Sequence, residues 1–314
     1  MDQRRIFEFL TERMAAGKRC VLVTVLAVQG SAMRNPGTHM AVCGDGSFVG
    51  SLSGGCIENA VVAEACEALT AGQPRIVRFG AGSPYLDIRL PCGGGLDIHF
   101  QPLADEVIAR ECLAAIDARQ PYTVAFRGQG AECIAGWHPA PFNPADGTAS
   151  FGHFPQARLM LVGHGEGVSA LALLARALAL DVAVLTPDER ALERLQGLGF
   201  PVAQLVRTTD TALLHSDPWT AIVFLFHDHD WEIALLRRAF ELPHFYIGAM
   251  GGRRANAARC EALLAAGVSA SAVATLHAPI GLFHSSRDPD TLALSALAEI
   301  VRVYQDTDFG AALG

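Results

Sequence analysis

The chain has 314 residues, of which 51% are hydrophobic, and this length and composition predict about two well-filled globular domains. Its 24 basic and 32 acidic residues give a formal net charge of −8, which disfavours nucleic acid or an anionic membrane surface as the main partner. The sequence has no apolar run long enough to cross a membrane. Its amino terminus carries Asp2, Glu8 and Glu12 ahead of a short apolar run at Val21–Val28 and lacks the pattern of a secretion signal, so we expect a cytoplasmic protein.

The eight cysteines are spread along the chain without a C-x-x-C pair. This spacing argues against a zinc-finger framework and against a dithiol redox motif. We expect most of the cysteines to be reduced, buried thiols.

The first predicted elements are an amphipathic helix over Ile6–Met14 and a buried strand over Cys20–Val28. A polar, glycine-rich loop follows at Gly30–Thr38. Within it, Ser31 and Arg34 are candidate ligands for an anion, and a solvated loop charge is the alternative for Arg34.

The glycine-rich turn Gly50–Asn59 reads GSLSGGCIEN and leads into a predicted helix over Ile57–Leu69. N–H groups in the first turn of that helix would attract an anion, and a thiol there ionises more easily. Cys56 is therefore a candidate reactive or metal-binding sulfur, and a small buried packing residue is the alternative. The candidate ligand residues of this turn are Ser53, Gly54, Gly55, Cys56 and Glu58.

A second cysteine set among glycines lies at Pro91–Gly95, between strand-like runs at Leu86–Leu90 and Leu96–Pro102. Two such turns in one predicted domain are a more specific signal than one alone. The candidate ligand residues here are Cys92, Gly93 and Gly94.

The pattern of prolines and the scarcity of apolar runs in residues 136–157 predict a linker. We place the domain boundary near residue 150, so the predicted domains are residues 1–150 and 151–314. The first is expected to be an α+β or α/β domain of its own type.

The second predicted domain begins with a strand, a glycine turn, a helix and a strand, as a Rossmann-like, doubly wound parallel sheet does. Val168 stands where a dinucleotide-binding turn has its third glycine, and Thr186 stands where an acidic ribose ligand is expected. These departures disfavour NAD(P). The candidate ligand residues of the turn are Gly163, His164 and Gly165.

A strongly apolar strand at Ala221–Phe226 runs into the sequence His227-Asp228-His229-Asp230. Ligands of open α/β sheets bind outside the carboxyl ends of the strands. We favour contact of His227 and Asp228 with a ligand or partner. A divalent metal site formed by the alternating histidines and aspartates is the alternative.

The strand Phe245–Ile247 leads into a glycine turn that carries two arginines at a predicted helix start. Backbone N–H groups, the helix dipole and guanidinium groups all favour phosphate at such a turn. Gly251, Arg253 and Arg254 are the candidate residues, and solvated surface arginines are the alternative.

The turns in chain order, above all GSLSGGCIEN, PCGGG and YIGAMGGRR followed by PIGL, resemble those of the XdhC/CoxI family of xanthine dehydrogenase accessory proteins. The resemblance covers nearly the whole chain. It implies a molybdenum cofactor chaperone that carries molybdopterin transiently, works with a cysteine desulfurase and delivers the cofactor to an apo-enzyme of the xanthine dehydrogenase class. A homodimer is also plausible from the family.

By this resemblance, Cys56 and Cys92 would contact the molybdenum or its sulfido ligand, and the arginine-bearing turns would contact the pterin phosphate. The protein would then be a maturation factor rather than an enzyme. The alternatives are an NAD(P)-dependent Rossmann oxidoreductase and a metal-dependent hydrolase that uses residues 227–230.

Overall fold

The computed structural model describes residues 3–30, 34–83, 93–227, 229–283 and 288–313. The chain divides into two compact units, Met1–Pro155 and Gln156–Gly314. The predicted strand Leu86–Leu90 lies outside the described residues.

In its described residues, the first unit contains two antiparallel sheets and three helices. The first sheet has the order β3-β2-β1-β5-β4, and the second has the order β7-β6-β9-β8. The elements are α1 Gln3–Ala15, β1 Cys20–Gln29, β2 His39–Cys43, β3 Phe48–Gly50, α2 Glu58–Ala71, β4 Arg75–Gly80, β5 Gly95–Pro102, α3 Val107–Asp117, β6 Tyr122–Arg127, β7 Gly130–Ala135, β8 Ala140–Asn143 and β9 Thr148–His153.

The first seven residues of the central strand β1 are all buried. Because successive side chains of a strand point to opposite sides, both faces of the strand are covered. Val21, Val23 and Val25 belong to the apolar cluster that includes α2. Cys20 and Leu22 belong to the cluster that includes α1, α3 and the second sheet. The first sheet therefore separates two cores.

Residues 136–157 are not the predicted linker, because β8 and β9 lie within them and pair with each other. The prolines that suggested a loop lie outside strand β9, and Pro141 lies in β8, which forms one edge of its sheet. An edge strand tolerates proline because its outer N–H groups need no partner strand.

The second unit is a five-stranded parallel sheet with the order β12-β11-β10-β13-β14, which confirms the predicted Rossmann-like fold. The strand order reverses between β10 and β13, where open α/β sheets form their ligand crevice. The elements are β10 Arg158–Gly163, α4 Glu166–Ala177, β11 Asp181–Thr186, α5 Glu189–Gly197, β12 Val202–Gln204, β13 Thr220–Leu225, α6 Glu232–Glu241, β14 Tyr246–Ala249, α7 Arg253–Ala265, α8 Ala270–Val273, α9 Pro289–Asp306 and α10 Phe309–Leu313.

Two apolar clusters cover the two faces of this parallel sheet. Val168 and Leu171 of α4 pack with Ala296 and Ile300 of α9 in one cluster, and Leu235 of α6 belongs to the other. None of the helices in the described part of the chain combines the length and apolar character needed to span a bilayer.

Candidate functional site

Glu58, the first residue of α2, holds the glycine-rich turn together. Its side chain is buried, at 7% exposure. Its Oε1 accepts hydrogen bonds from Ser51 Oγ at 2.6 Å, Leu52 N at 3.1 Å and Ser53 N at 3.0 Å. Its Oε2 accepts from Ser53 Oγ at 2.7 Å and Ile57 N at 3.2 Å. The carboxylate is thus occupied by the turn itself.

The same contacts keep Glu58 ionised. Burial alone would raise the pKa of this carboxyl, but the hydrogen bonds from Ser51 and Ser53 outweigh burial and lower the pKa to about 2. The turn therefore contains a fixed negative charge at neutral pH.

Cys56 is exposed, so the alternative of a buried packing cysteine is wrong. Its N–H donates to Ser53 Oγ at 3.0 Å, and the N–H of Ile57 donates to the same oxygen at 3.1 Å. These two N–H groups are therefore used within the turn, whereas α2 begins at Glu58 and its N-cap, Ile57, makes no side-chain capping hydrogen bond. Gly55, with φ of 112°, allows the backbone bend that brings the thiol to the surface.

The second glycine turn lies beside the start of the loop Gly30–Thr38. A Cβ built on Gly30 would be 3.5 Å from the Gly94 Cα, and Gly93 has a φ of 69°. Ser31 and Cys92 themselves lie outside the described residues. The structure thus brings the predicted loop and the predicted turn together at Gly30 and Gly94.

Arg34 lines a cavity of about 430 Å³ in the first unit. His39, His153, Trp137 and Phe151 also line it. Among the described residues, none from the glycine-rich turn that carries Cys56 contributes to this lining. The described residues of the Cys56 turn therefore take no part in this cavity.

A buried chain of hydrogen bonds forms the floor of this cavity. Tyr122 Oη donates to Gln3 Oε1 at 2.5 Å, and Gln3 Nε2 donates to His153 Nδ1 at 2.7 Å. His153 must then carry its proton on Nε2, which donates to His39 Nε2 at 3.0 Å. His39 in turn donates from Nδ1 to Thr24 Oγ1 at 2.8 Å. These four hydrogen bonds can all form only when His39 and His153 are both neutral.

The pKa values of His39 and His153 are both lowered, which agrees with two neutral rings. Burial lowers the pKa of His153 to about 4. Burial and the neighbouring His153 lower the pKa of His39 well below its ordinary value. Sequence analysis missed this pair because His39 and His153 are 114 residues apart and no local pattern indicates their contact.

In the second unit, Gly163 allows β10 to lie against β13. A Cβ on Gly163 would be 2.5 Å from the Leu225 carbonyl oxygen, so only glycine fits there. The next two turn residues are His164 and Gly165, whose φ is 82°. The ring centroids of His164 and His227 are 5.7 Å apart, so the crevice between β10 and β13 brings these two predicted residues together.

The two residues that depart from a dinucleotide-binding turn, Val168 and Thr186, are both buried. Val168 is fully buried in the core behind the turn. Thr186, at the end of β11, is also buried, and its Oγ1 accepts from Asp188 N at 3.1 Å. The Asp188 carboxylate caps α5 by accepting from Arg190 N and Ala191 N. The nearest acidic side chain is thus engaged with the helix start.

The alternating histidine and aspartate segment is described only in part. Asp228 lies outside the described residues, and His229 and Asp230 begin a short 3₁₀ turn, His229–Trp231. Within the described ranges, no group of three or more His, Cys, Asp or Glu side chains is placed to hold a metal ion.

Gly251 and Gly252 lead into α7, with Arg253 and Arg254 exposed in its first turn. Gly252 occupies the N-cap and offers no side chain to cap the helix. The first turn of α7 therefore has no side-chain cap, and this exposure is compatible both with a phosphate site and with solvated surface arginines.

Beneath this turn, sequence analysis missed a buried ion pair. Arg259 Nε donates to Glu232 Oε2 at 2.9 Å, and Arg259 Nη2 donates to Glu232 Oε1 at 3.1 Å and to the Met250 carbonyl at 2.7 Å. Both side chains of the pair have no exposed surface. The pair fixes the backbone just before Gly251. In the sequence, the signal that could have indicated this ion pair is an arginine on the inward-facing side of a helix.

Known proteins share both units of this chain. Residues 13–80 match the XdhC and CoxI family, and residues 159–300 match the XdhC Rossmann domain. The chain is 33% identical to the molybdenum cofactor insertion chaperone PaoD of Escherichia coli strain K12, over 98% of this chain and 91% of that protein. It is 26% identical to a probable xanthine dehydrogenase component of Bacillus subtilis strain 168, over 91% of this chain and 93% of that protein.

The fold is also similar to that of a solved structure. The crystal structure of a xanthine dehydrogenase from Bacillus halodurans has a TM-score of 0.76 to this chain, with 20% identity and coverage of 98% of this chain and 97% of that one. The matched families, the extent of the PaoD similarity and the glycine turns found above agree. The chain belongs to the XdhC and CoxI family.

Proposed function

We propose that this protein binds the molybdenum cofactor and inserts it into an apo-enzyme of the xanthine dehydrogenase class. The observation that carries the proposal is the 33% identity to a molybdenum cofactor insertion chaperone along 98% of the chain. In this role the cofactor is cargo, and the protein is a maturation factor rather than an enzyme.

Cys56 is the proposed contact to the molybdenum or to its sulfido ligand. A thiolate is a soft ligand that suits such a metal centre. Two observations support this role: the thiol is exposed, and Ser53 and Glu58 hold the backbone around it. Cys92, with Gly93 and Gly94, stays a proposed second contact.

The turn at Gly251, Arg253 and Arg254 is the proposed phosphate site of the second unit, since its N-cap is bare and its arginines are exposed. His164 and His227 are further proposed contacts in the crevice between β10 and β13. From the family resemblance we also propose a cysteine desulfurase as partner, a role in sulfuration of the cofactor and a homodimeric state.

The test is native mass spectrometry of the full chain after anaerobic incubation with molybdenum cofactor under reducing conditions. We expect about one equivalent per protomer, and the mass also shows the oligomeric state and any nucleotide on the cofactor. The loaded protein should then activate a cofactor-free xanthine dehydrogenase. Absence of uptake under these conditions would contradict the proposal.

Cys56→Ala and Cys66→Ala form a matched pair for the thiol. Cys66 is a half-buried cysteine of the same helix region, so its loss controls for the removal of a sulfur from this unit. We expect Cys56→Ala to lose transfer activity and Cys66→Ala to keep it. Equal transfer by both variants would remove Cys56 from the site.

The runner-up function is an NAD(P)-dependent oxidoreductase, which the parallel sheet and the turn Gly163–Gly165 favour. The buried Val168 and Thr186 and the helix-capping Asp188 argue against it. A fluorescence titration with NADH and NADPH separates the two functions, because tight binding would favour the oxidoreductase.

A further inference from the structure

Two cysteines from separate elements meet where α3 packs against β7 in the first unit. Cys112 lies on α3 and is fully buried, whereas Cys133 lies on β7 and is partly exposed. Both pack in the apolar cluster that includes α1, α3 and the second sheet. Their thiols are hydrogen-bonded to each other, so the two sulfur atoms are neighbours.

The periods of the helix and of the strand bring the two thiols together. On α3, Cys112 lies one turn after Ile108, and both belong to the buried face of the helix. On β7, Cys133 lies on the same side as Ala131, and both pack against the cluster. Strand β7 is an edge of its sheet, and Cys133 keeps part of its surface exposed there.

A cavity of about 330 Å³ opens beside the pair. Its lining includes Ile108 and Glu111 of α3, and Ala131 and Glu132 of β7. Glu111 and Glu132 directly precede the two cysteines in the chain. Small solutes therefore reach the boundary between α3 and β7 at which Cys133 is partly exposed.

The contact makes the two thiols chemically different. The hydrogen bond from the Cys112 thiol lowers the pKa of Cys133, against burial and Glu111, which raise it. The hydrogen bond to Cys133 and burial raise the pKa of Cys112. The thiol that ionises more easily is thus also the accessible one. An accessible thiol of lowered pKa beside a second cysteine is typical of redox-sensitive pairs.

A second pair of cysteines in this unit has a similar contact without the access. Cys20 and Cys43 lie directly opposite each other on β1 and β2, and both are fully buried. Burial raises the pKa of Cys20 to about 12. Because neither thiol is accessible, we expect this pair to stay reduced in the folded protein, and it serves as an internal control.

We propose that Cys112 and Cys133 form a reversible disulfide when the protein meets a hydroperoxide. The Cys133 thiolate attacks one oxygen of hydrogen peroxide, the O–O bond breaks, and a sulfenic acid forms while the hydroxide released takes up a proton to give water. The Cys112 sulfur then attacks the sulfenic sulfur, the S–O bond breaks, and the hydroxyl group leaves as water with the Cys112 proton.

The electrons balance over these two steps. The thiol pair loses two electrons, and the peroxide gains them in giving two water molecules. A low-molecular-weight thiol such as glutathione reverses the reaction by thiol–disulfide exchange and is itself oxidised to its disulfide. This modification is independent of the proposed cofactor function.

The test is peptide mapping of the full chain by mass spectrometry, after treatment with hydrogen peroxide and alkylation of the remaining thiols. Trypsin cuts after lysine and arginine, so Cys112 lies in the peptide Glu111–Arg119 and Cys133 in Gly128–Arg158. We expect peroxide to join these two peptides with the loss of two hydrogen atoms, and glutathione to separate them again. Absence of the joined peptide would overturn the proposal.

The buried pair provides the first control. Peroxide should leave Cys20 and Cys43 open to alkylation after the protein is unfolded. A disulfide between Cys20 and Cys43 that forms as fast as the one between Cys112 and Cys133 would also overturn the proposal, because unfolding rather than access would then control the reaction.

Cys112→Ala separates the two chemical steps, because it removes the thiol that closes the disulfide. We expect peroxide to leave Cys133 of this variant as a sulfenic acid that dimedone traps, whereas the wild type loses this adduct to the disulfide. Cys66→Ala is the matched control, since Cys66 is another partly exposed cysteine of the first unit, and it should form the disulfide as the wild type does. No adduct on Cys133 in Cys112→Ala would contradict its role as the attacking thiol.

Cys133→Ala changes the partly exposed position and so disturbs the core less than Cys112→Ala does. We expect it to abolish the joined peptide and to leave the buried Cys112 unoxidised. Oxidation of Cys112 in this variant would contradict the order of the two steps. Because these experiments use neither molybdenum nor a client enzyme, their failure leaves the cofactor experiment unaffected.

Discussion

Ser53 and Glu58 hold each other through two hydrogen bonds, from Ser53 N to Glu58 Oε1 at 3.0 Å and from Ser53 Oγ to Glu58 Oε2 at 2.7 Å. The same Ser53 Oγ accepts the N–H of Cys56. The backbone of Cys56 is thus connected to the buried carboxylate through one hydroxyl group. This relationship makes the position of Cys56 dependent on the charge of Glu58.

Glu58→Gln should therefore loosen the turn. The glutamine amide group would face N–H and hydroxyl donors and leave some of them unpaired, which costs about 1–3 kcal/mol. We expect faster hydrogen exchange in residues 51–58 and an altered rate of Cys56 alkylation, both measured by mass spectrometry. Glu67→Gln, an exposed change in the same helix, is the control and should change neither.

The paired histidines predict a loss of stability of the first unit in mild acid. The pKa of His153 is about 4 in the folded protein and that of His39 is also depressed, whereas an unfolded histidine titrates near 6.5. Below pH of about 6.5 the unfolded chain therefore binds more protons. The free energy of unfolding should fall, by up to about 1.4 kcal/mol per pH unit for each histidine, as the pH drops toward 4.

His153→Gln and His138→Gln check this prediction, since His138 is an exposed histidine of the same unit. The free energy of unfolding is measured by urea denaturation, with hydrogen exchange in β6 and β9 as the probe of the first unit. Between pH of about 6.5 and about 5, this free energy should depend less steeply on pH in His153→Gln than in the wild type. The His138→Gln variant should keep the wild-type slope. Equal slopes in all three proteins would mean that the buried pair does not titrate as described.

Gly163→Ala should destabilise the second unit. The new methyl group would lie 2.5 Å from the Leu225 carbonyl oxygen and force β10 away from β13, at a cost of about 1–3 kcal/mol. Gly167→Ala is the matched control, because its methyl group would make an ordinary 3.8 Å contact with Leu292. That change should be neutral or slightly stabilising. Thermal unfolding measures the melting temperature of each variant. A lower melting temperature for Gly167→Ala than for Gly163→Ala would contradict the prediction.

Glu232→Gln should be among the most destabilising single changes in the second unit. It leaves the Arg259 guanidinium charged and fully buried without its carboxylate, and breaking such a pair costs about 3–5 kcal/mol. Glu241→Gln removes the partner of Arg238 in an exposed pair, where about 0–1 kcal/mol is expected. Chemical denaturation monitored by tryptophan fluorescence gives the free energy of unfolding of both variants. Similar losses of this free energy would contradict the burial of the Arg259–Glu232 pair.

Local sequence patterns predicted much of the architecture. The run from Arg158 to Leu185 has the periodicity of strand, glycine turn, helix and strand, and it forms β10, α4 and β11. Such patterns reflect contacts between near neighbours in the chain. Residues 136–157 misled the same reasoning because β8, a short edge strand with a proline, has the composition of a loop.

The sequence by itself determined the Rossmann-like second unit, the family and the chemical types present at the turns, because hydrophobic period, glycine position and motif are local properties. Only the tertiary structure decided which of those groups meet. It showed that Glu58 holds its own turn, that Cys56 is exposed, and that His39 meets His153 across 114 residues. Such contacts depend on strand register and on the packing of distant elements, and neither is encoded in any short stretch of the chain.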